Sequence, residues 1–273
     1  MDHGGDGLGR FAADYIVDSG QVHNGVTLEL TDRIYVNYGG MATNTYVKGG
    51  RIIVSSGGVA NGISFYVGYL TGVSSTYESY GNMYVYSGGK ITGFLNTIVG
   101  TNISAYEGSI LDFDISMLSP GNSPLVNKLL LVKGNPSFTL TVSDSQASGT
   151  YKLAESSGEF NKTITVMNTL CTELCTLTVG EDVKRIGNAK YSLARNGGDL
   201  TVTVVGITIF TGDLTSEKDI TDGMLASDVN VHDGGKLFIL SGGVAEDTAL
   251  NYYGDMYVSN GGLTALRSTS RAG

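Results

Sequence analysis

"MYVYSGG", residues 83–89, returns in this chain as IYVNYGG at 34–40 and MYVSNGG at 256–262, with looser copies IIVSSGG at 52–58 and LFILSGG at 237–243. Each copy is a short run of β-branched, aliphatic and tyrosine residues closed by a glycine pair. Side chains alternate across a strand. Ile34 and Val36 therefore share one face and Tyr35 takes the other. Met83 and Val85 stand in the same way against Tyr84 and Tyr86, and Met256 and Val258 against Tyr257. The aliphatic set is expected to point inward. Glycine recurring at such short intervals leaves no uninterrupted helix.

The spacing is regular. Counted along the chain, Gly39-Gly40 precede Gly57-Gly58 by 18, Gly242-Gly243 precede Gly261-Gly262 by 19, and Ser19-Gly20 lead Tyr38-Gly39 by 19. Gly88-Gly89 follow Gly57-Gly58 by 31, which reads as one further unit plus an insertion. Half-copies lie between: TYVKGG at 45–50, ISAYEG at 103–108 and VNVHDGG at 229–235. The pattern gives two strands per unit. Glycine accepts positive φ and close backbone approach, which a uniform sharp turn needs. Asn61, Asn82, Asn96 and Asn260 recur beside turns, where they can adopt the left-handed conformation or stack. The expected fold is all-β, a parallel β-solenoid of about 19-residue coils, because a single coil cannot bury its own apolar face. A flat antiparallel meander or a β-sandwich is the alternative.

Between 109 and 196 the glycine pairs disappear. Segments such as SFTLTVSD, GTYKLAESSG, KTITVMN and CTLTVG read as strands broken by turns. RNGGD at 195–199 is a strong hairpin signal. The division is therefore 1–118 solenoid, 119–206 a β-rich spacer (sandwich-like or irregular coils), and 207–273 a second block of solenoid repeats.

Composition bounds the function. The chain has 273 residues, 41% hydrophobic, enough for a core, with 40 glycines, 3 prolines, 16 tyrosines and no tryptophan. Glycine excess without a three-residue period excludes collagen. The net charge is −9 and no run of Lys or Arg exists, which argues against nucleic acid as a partner. No stretch of about 18 apolar residues is present to span a membrane. An acidic surface rich in Ser, Thr, Asn and Gly suits an exported protein. The opening MDHGGDGLGR lacks the apolar stretch of a signal peptide and RSTSRAG stops just after a repeat begins, so both ends read as cuts.

GGMATNTYVKGGRIIVSSGGVANGI (39–63) and VHDGGKLFILSGGVAEDTALNYYGDMYVSNGG (231–262) resemble the AIDA-type repeat of Gram-negative autotransporter adhesin passengers. Gly39, Gly40, Ala42, Thr45, Val47, Gly49, Gly50, Val54, Gly57, Gly58 and Ala60 carry the pattern in the first block. Gly242, Gly243, Ala245, Thr248, Gly261 and Gly262 carry it in the second. The resemblance covers roughly half the chain. It implies a right-handed β-helix at the cell surface or secreted, working in adhesion or self-association, with host or bacterial surface glycans as candidate partners. Some such passengers are glycosylated on Ser or Thr.

Chemistry is sparse. Asp112 and Asp114 share a strand face in LDFDIS and read as solvated carboxylates with no base close by. HGGDGLGRFA (3–12) departs from both the calcium-repeat and the dinucleotide-binding patterns. No catalytic set, metal site or cofactor is expected. The alternative function is a carbohydrate-active β-helix enzyme, a polysaccharide lyase or hydrolase, which would need a cluster of carboxylates beside a base in one groove. Cys171 and Cys175 in CTELC admit three readings: a local disulfide if Thr-Glu-Leu turns a hairpin, a weak metal half-site, or two free thiols. The remaining candidate is the outward face. Aligning the repeats places Tyr35, Ile53, Tyr84, Phe238 and Tyr257 at one position. Such a row either stabilises by stacking or forms an exposed aromatic strip for sugars or another copy of the chain.

Overall fold

The computed structural model describes residues 12–71, 76–181 and 183–265. All but the last residue of the HGGDGLGRFA stretch, and the closing RSTSRAG, lie outside the described residues. The described residues are all-β, with mostly parallel strands and a single short 3-10 turn at Leu129–Leu131. The chain divides into two compact units. One runs to Lys184 and takes in Tyr191–Thr203; the other comprises Arg185–Lys190 and the residues from Val204 on.

In the first unit the chain alternates between two sheets. The first sheet takes Asp14–Val17, Arg33–Val36, Arg51–Val54, Asn82–Val85, Asn102–Ala105 and Val132–Gly134, in that spatial order. The second includes Val22–Asn24, Met41–Lys48, Val59–Tyr66, Lys90–Asn96, Ile110–Asp114, Ser137–Val142 and Ile164–Asn168. Every neighbour in this series pairs in parallel with the strand of the round before. Hydrogen bonds therefore pass from round to round. Ser137–Val142 and Ile164–Asn168 extend the second sheet through the segment where the glycine pairs disappear. Glu173–Leu177 closes that sheet by pairing antiparallel.

The inward alternation holds along the first sheet. Ile34, Ile52, Met83 and Ile103 form one buried row, and Val17, Val36, Val54, Val85 and Ala105 the next. Parallel strands buried on one face need this unbroken aliphatic row, since no water reaches it.

The turn explains the glycine pair. Gly40 N–H donates to the Asn37 carbonyl at 2.9 Å, closing a four-residue turn with Gly39 at φ +70° in third place. That is the type II requirement. Gly57, Gly88, Gly242 and Gly261 have the same sign of φ. The second glycine serves a different purpose. A Cβ on Gly40 would lie 2.1 Å from the Val17 carbonyl oxygen of the round before. The turns are themselves linked, with Gly39 N–H donating to the Gly57 carbonyl and Gly57 N–H to that of Gly88. A second corner lies in the second sheet, where Asn44, Gly62 and Gly93 all have positive φ. Asn44 and Thr43 both donate to the Asn24 side-chain oxygen at 2.9 Å.

Two expectations are corrected. The long step from Gly57 to Gly88 holds no further unit, because Arg51–Val54 pairs directly with Asn82–Val85. The extra chain includes an antiparallel pair, Gly68–Thr71 with Thr76–Ser79. Likewise ISAYEG belongs to a full round rather than a half-copy, since Asn102–Ala105 is a member of the first sheet.

The second unit has its own parallel sheets. Thr208–Leu214, Met224–Val231, Val244–Glu246 and Leu263–Ala265 form one, and Glu217–Ile220, Lys236–Ile239 and Asp255–Val258 the other. Its core includes Leu214, Ile220, Val229, Val231, Leu237 and Ile239. Met256 packs against that core, but Val258 is 49% exposed despite its inward register. Asp255–Val258 is the edge of its sheet, so no described strand covers Val258 from the far side.

Candidate functional site

The outer face of the first sheet is a grid that the parallel register builds automatically. Each residue of one strand sits beside the matching residue of the next, about 4.8 Å away. The first outward row is Asp14, Arg33, Arg51, Asn82 and Asn102. The second is Ile16, Tyr35, Ile53, Tyr84 and Ser104. Tyr86 and Tyr106 stand beyond it at the turn edge, stacked with ring centroids 5.1 Å apart and planes 12° from parallel.

Tyr35 and Tyr84 thus stand in one row, separated by Ile53. Ile53 is shorter than its neighbours, so the row is notched there. The notch is a cleft of about 400 Å³ lined by Arg33, Tyr35, Arg51, Ile53, Tyr84, Tyr86 and Tyr106. The Arg51 guanidinium lies 5.7 Å from the centre of the Tyr84 ring. In the second unit Phe238 pairs in register with Tyr257, their rings stacked at 4.9 Å and 13°. The five aligned residues therefore form two rows, one in each unit.

Sequence reasoning missed the arginines, although Arg33 and Arg51 stand apart by the same interval as the first two glycine pairs. On their other side is a groove of about 310 Å³ whose lining includes Asp14 and Asp32. Asp32 is buried, and its two oxygens accept the N–H groups of Ala13 and Glu29 at 2.8 and 3.0 Å. That carboxylate holds the backbone and is not free to act as a base.

Asp112 is not solvated. It is 2% exposed, and Lys90 Nζ lies 2.8 Å from its Oδ2. The hydroxyls of Thr92, Thr139 and Thr141 donate to it at 3.1, 2.7 and 2.9 Å. Lys90 and Thr92 come from the preceding round and Thr139 and Thr141 from the next. A buried carboxylate so surrounded has no open approach for a substrate, so the cluster is structural. Asp114 instead accepts the N–H and hydroxyl of Ser116. In the second unit Asp213 pairs with His232 at 3.0 Å. The His232 hydrogen bond, then that of Asn230, holds the Asp213 carboxyl below the usual range. Among the described residues no group of three or more His, Cys, Asp or Glu could hold a metal ion.

The cysteine hairpin is corrected. The Asn168 side-chain oxygen accepts the N–H groups of Leu170 and Thr172 at 3.0 and 2.8 Å, which places the turn at 168–172 rather than on Thr-Glu-Leu. Cys171 sits in the turn at φ +59° and Cys175 in the strand opposite Val166, both as free thiols. Burial pushes the Cys175 thiol up from its ordinary value, and Cys171 is exposed. Alkylation of the native protein should therefore label Cys171 first, with Cys175 lagging until the pH is raised. Equal labelling rates at neutral pH, or an unreduced mass lighter by two hydrogens, would contradict this arrangement.

No protein-family model matches the sequence, and no curated protein matches it. A solved structure described as a TibC-catalyzed hyper-glycosylated TibA fragment aligns over 95% of this chain and 81% of that one, at 18% identity and a TM-score of 0.29. Superposition at that level does not establish a shared fold. No helix among the described residues is long and apolar enough to cross a membrane.

Proposed function

We propose that the chain is a stretch of a bacterial surface or secreted β-solenoid that works in adhesion, display or self-association. On this reading the rounds are right-handed coils with the period of the glycine pairs, with repeats over 1–118 and 207–273 and a spacer over 119–206. The AIDA-type pattern of the glycine pairs supports it, as does the parallel pairing of each round with the next. The observation that carries the functional part is the aromatic row on the outer face. Tyrosines held in register on a rigid sheet lose little entropy on contact, and aromatic anchors dominate binding energies.

The test separates contact from stability. Tyr35→Ser and Tyr84→Ser should each cost less than about 0.5 kcal/mol, as surface changes do. Tyr257→Ser should cost about 1 kcal/mol through loss of the Phe238 stack. Beads coated with the purified chain should clump, and beads carrying the triple variant should clump several-fold less while the protein melts within a few degrees of the parent. Unchanged clumping, or a collapse in melting temperature, would refute the outward row as the contact surface.

A further inference from the structure

We propose that Arg33 and Arg51, with the tyrosine-walled notch between Tyr35 and Tyr84, form a site for a carboxylate-bearing saccharide such as a polyuronate. The inference rests on the reading of this face as the contact surface and names its ligand class.

The charge arrangement is the first argument. Arg33 and Arg51 are direct register partners on adjacent strands. Like charges set opposite one another destabilise a sheet. The chain holds 26 acidic residues against 17 Lys and Arg, so a compensating carboxylate would be easy to supply. The other two described arginines have one each: Arg185 pairs with Glu246 and Arg195 with Glu159. Among the described residues neither Arg33 nor Arg51 forms an ion pair. Asp14 lies beside Arg33 in the row, and Asp32 is committed to backbone N–H groups. Two exposed guanidiniums, whose forked donors match a carboxylate, are thus left for an external anion.

The notch supplies the second argument. Tyr35 and Tyr84 stand two strands apart, about 9.5 Å by the strand spacing. One flat ring between two aromatic faces, in contact with each at about 3.5–4 Å, fills about 7–8 Å. The floor is Ile53, which makes no polar demand. Arg51 is already laid against Tyr84, so its orientation costs little on binding. A saccharide ring with apolar C–H faces and a carboxylate satisfies both walls and both cations. The amides of Asn82 and Asn102 continue the row for its hydroxyls. A carboxylate side chain from a second copy of the chain would satisfy the arginines but leave the notch unfilled.

The probe is fluorescently labelled oligogalacturonate of defined length, followed by polarisation at low and moderate salt, against a neutral oligosaccharide of equal length. The acidic probe should bind, and the neutral one about tenfold or more weaker. Binding should fall as salt screens the exposed arginines. Arg33→Gln and Arg51→Gln should each weaken it about tenfold, Arg51→Lys less, and Tyr84→Ala should weaken it too, with melting temperatures unchanged. Equal binding of the neutral probe, or binding indifferent to both arginines, overturns the proposal. So does a failure of the acidic probe to bind; if Arg33→Gln and Arg51→Gln then abolish self-association, the pair belongs to a second copy. Each of these outcomes leaves the tyrosine-dependent clumping to stand or fall by its own experiment.

Discussion

Gly40→Ala should destabilise the first unit by about 3 kcal/mol or more, and Gly20→Ala by only about 1–2 kcal/mol. The contrast runs against expectation from backbone conformation alone. Gly20 has φ +79° and open space around a Cβ, so alanine there meets only left-handed strain. Gly40 lacks that strain, yet its Cβ would sit 2.1 Å from the Val17 carbonyl oxygen. The two rounds would have to part, breaking the parallel ladder between them. The approach loosens along the stack: the same distance is 2.4 Å at Gly58 and the nearest is 3.0 Å at Gly89. The next round carries Ser109 at this place, fully buried, and the first carries Gln21. The order of cost should therefore be Gly40→Ala, then Gly58→Ala, then Gly89→Ala. Thermal melting followed by circular dichroism reads it, at about 2–4 °C per kcal/mol. If Gly20→Ala cost as much as Gly40→Ala, the second glycine would be answering to the turn and not to the round before.

Lys90→Met should cost about 3 kcal/mol, far more than a surface ion pair would. It leaves the Asp112 carboxylate buried with hydroxyl donors and no counter-charge. Asp112→Ala should be at least as damaging, since Thr92, Thr139 and Thr141 all lose their acceptor. The double variant Lys90→Met with Asp112→Asn should cost well under the sum of those two changes made singly. Its amide oxygen still accepts from Thr139 and Thr141, and no charge is left buried. Chemical denaturation of the parent, the two single variants and the double gives the coupling energy directly. A Lys90→Met cost below about 0.5 kcal/mol would show that the pair behaves as a solvated one.

Much of the architecture could be read from the chain because it is local. The alternation of Ile34, Tyr35 and Val36 specifies two faces through bond geometry alone. A glycine in the third place of a tight turn answers to the φ of that one residue. Repetition at a nearly fixed period then aligns one strand beside another, so Tyr35, Ile53 and Tyr84 could be placed in one row. Arg33 and Arg51 carry the same signal and needed only the same alignment.

Other features depended on atoms far apart in the chain. The long step from Gly57 to Gly88 is compatible with an extra round or with a side hairpin, and only the pairing of Arg51–Val54 with Asn82–Val85 decides. The turn near Cys171 went to Asn168 because its side chain takes two N–H groups, a stronger anchor than the Thr-Glu-Leu spacing. Alternation put Asp112 on the opposite face from Leu111 but could not show what stood around it. Its lysine and its threonines arrive from rounds before and after. By itself the sequence determined strands, turns and the rows they form, since those follow from bond angles and a fixed period. Which carboxylate is buried, which cations stand unpaired and which glycine tolerates no methyl group were decided by the stacking of rounds, because each depends on a neighbour about 4.8 Å away in space and a whole round away in sequence.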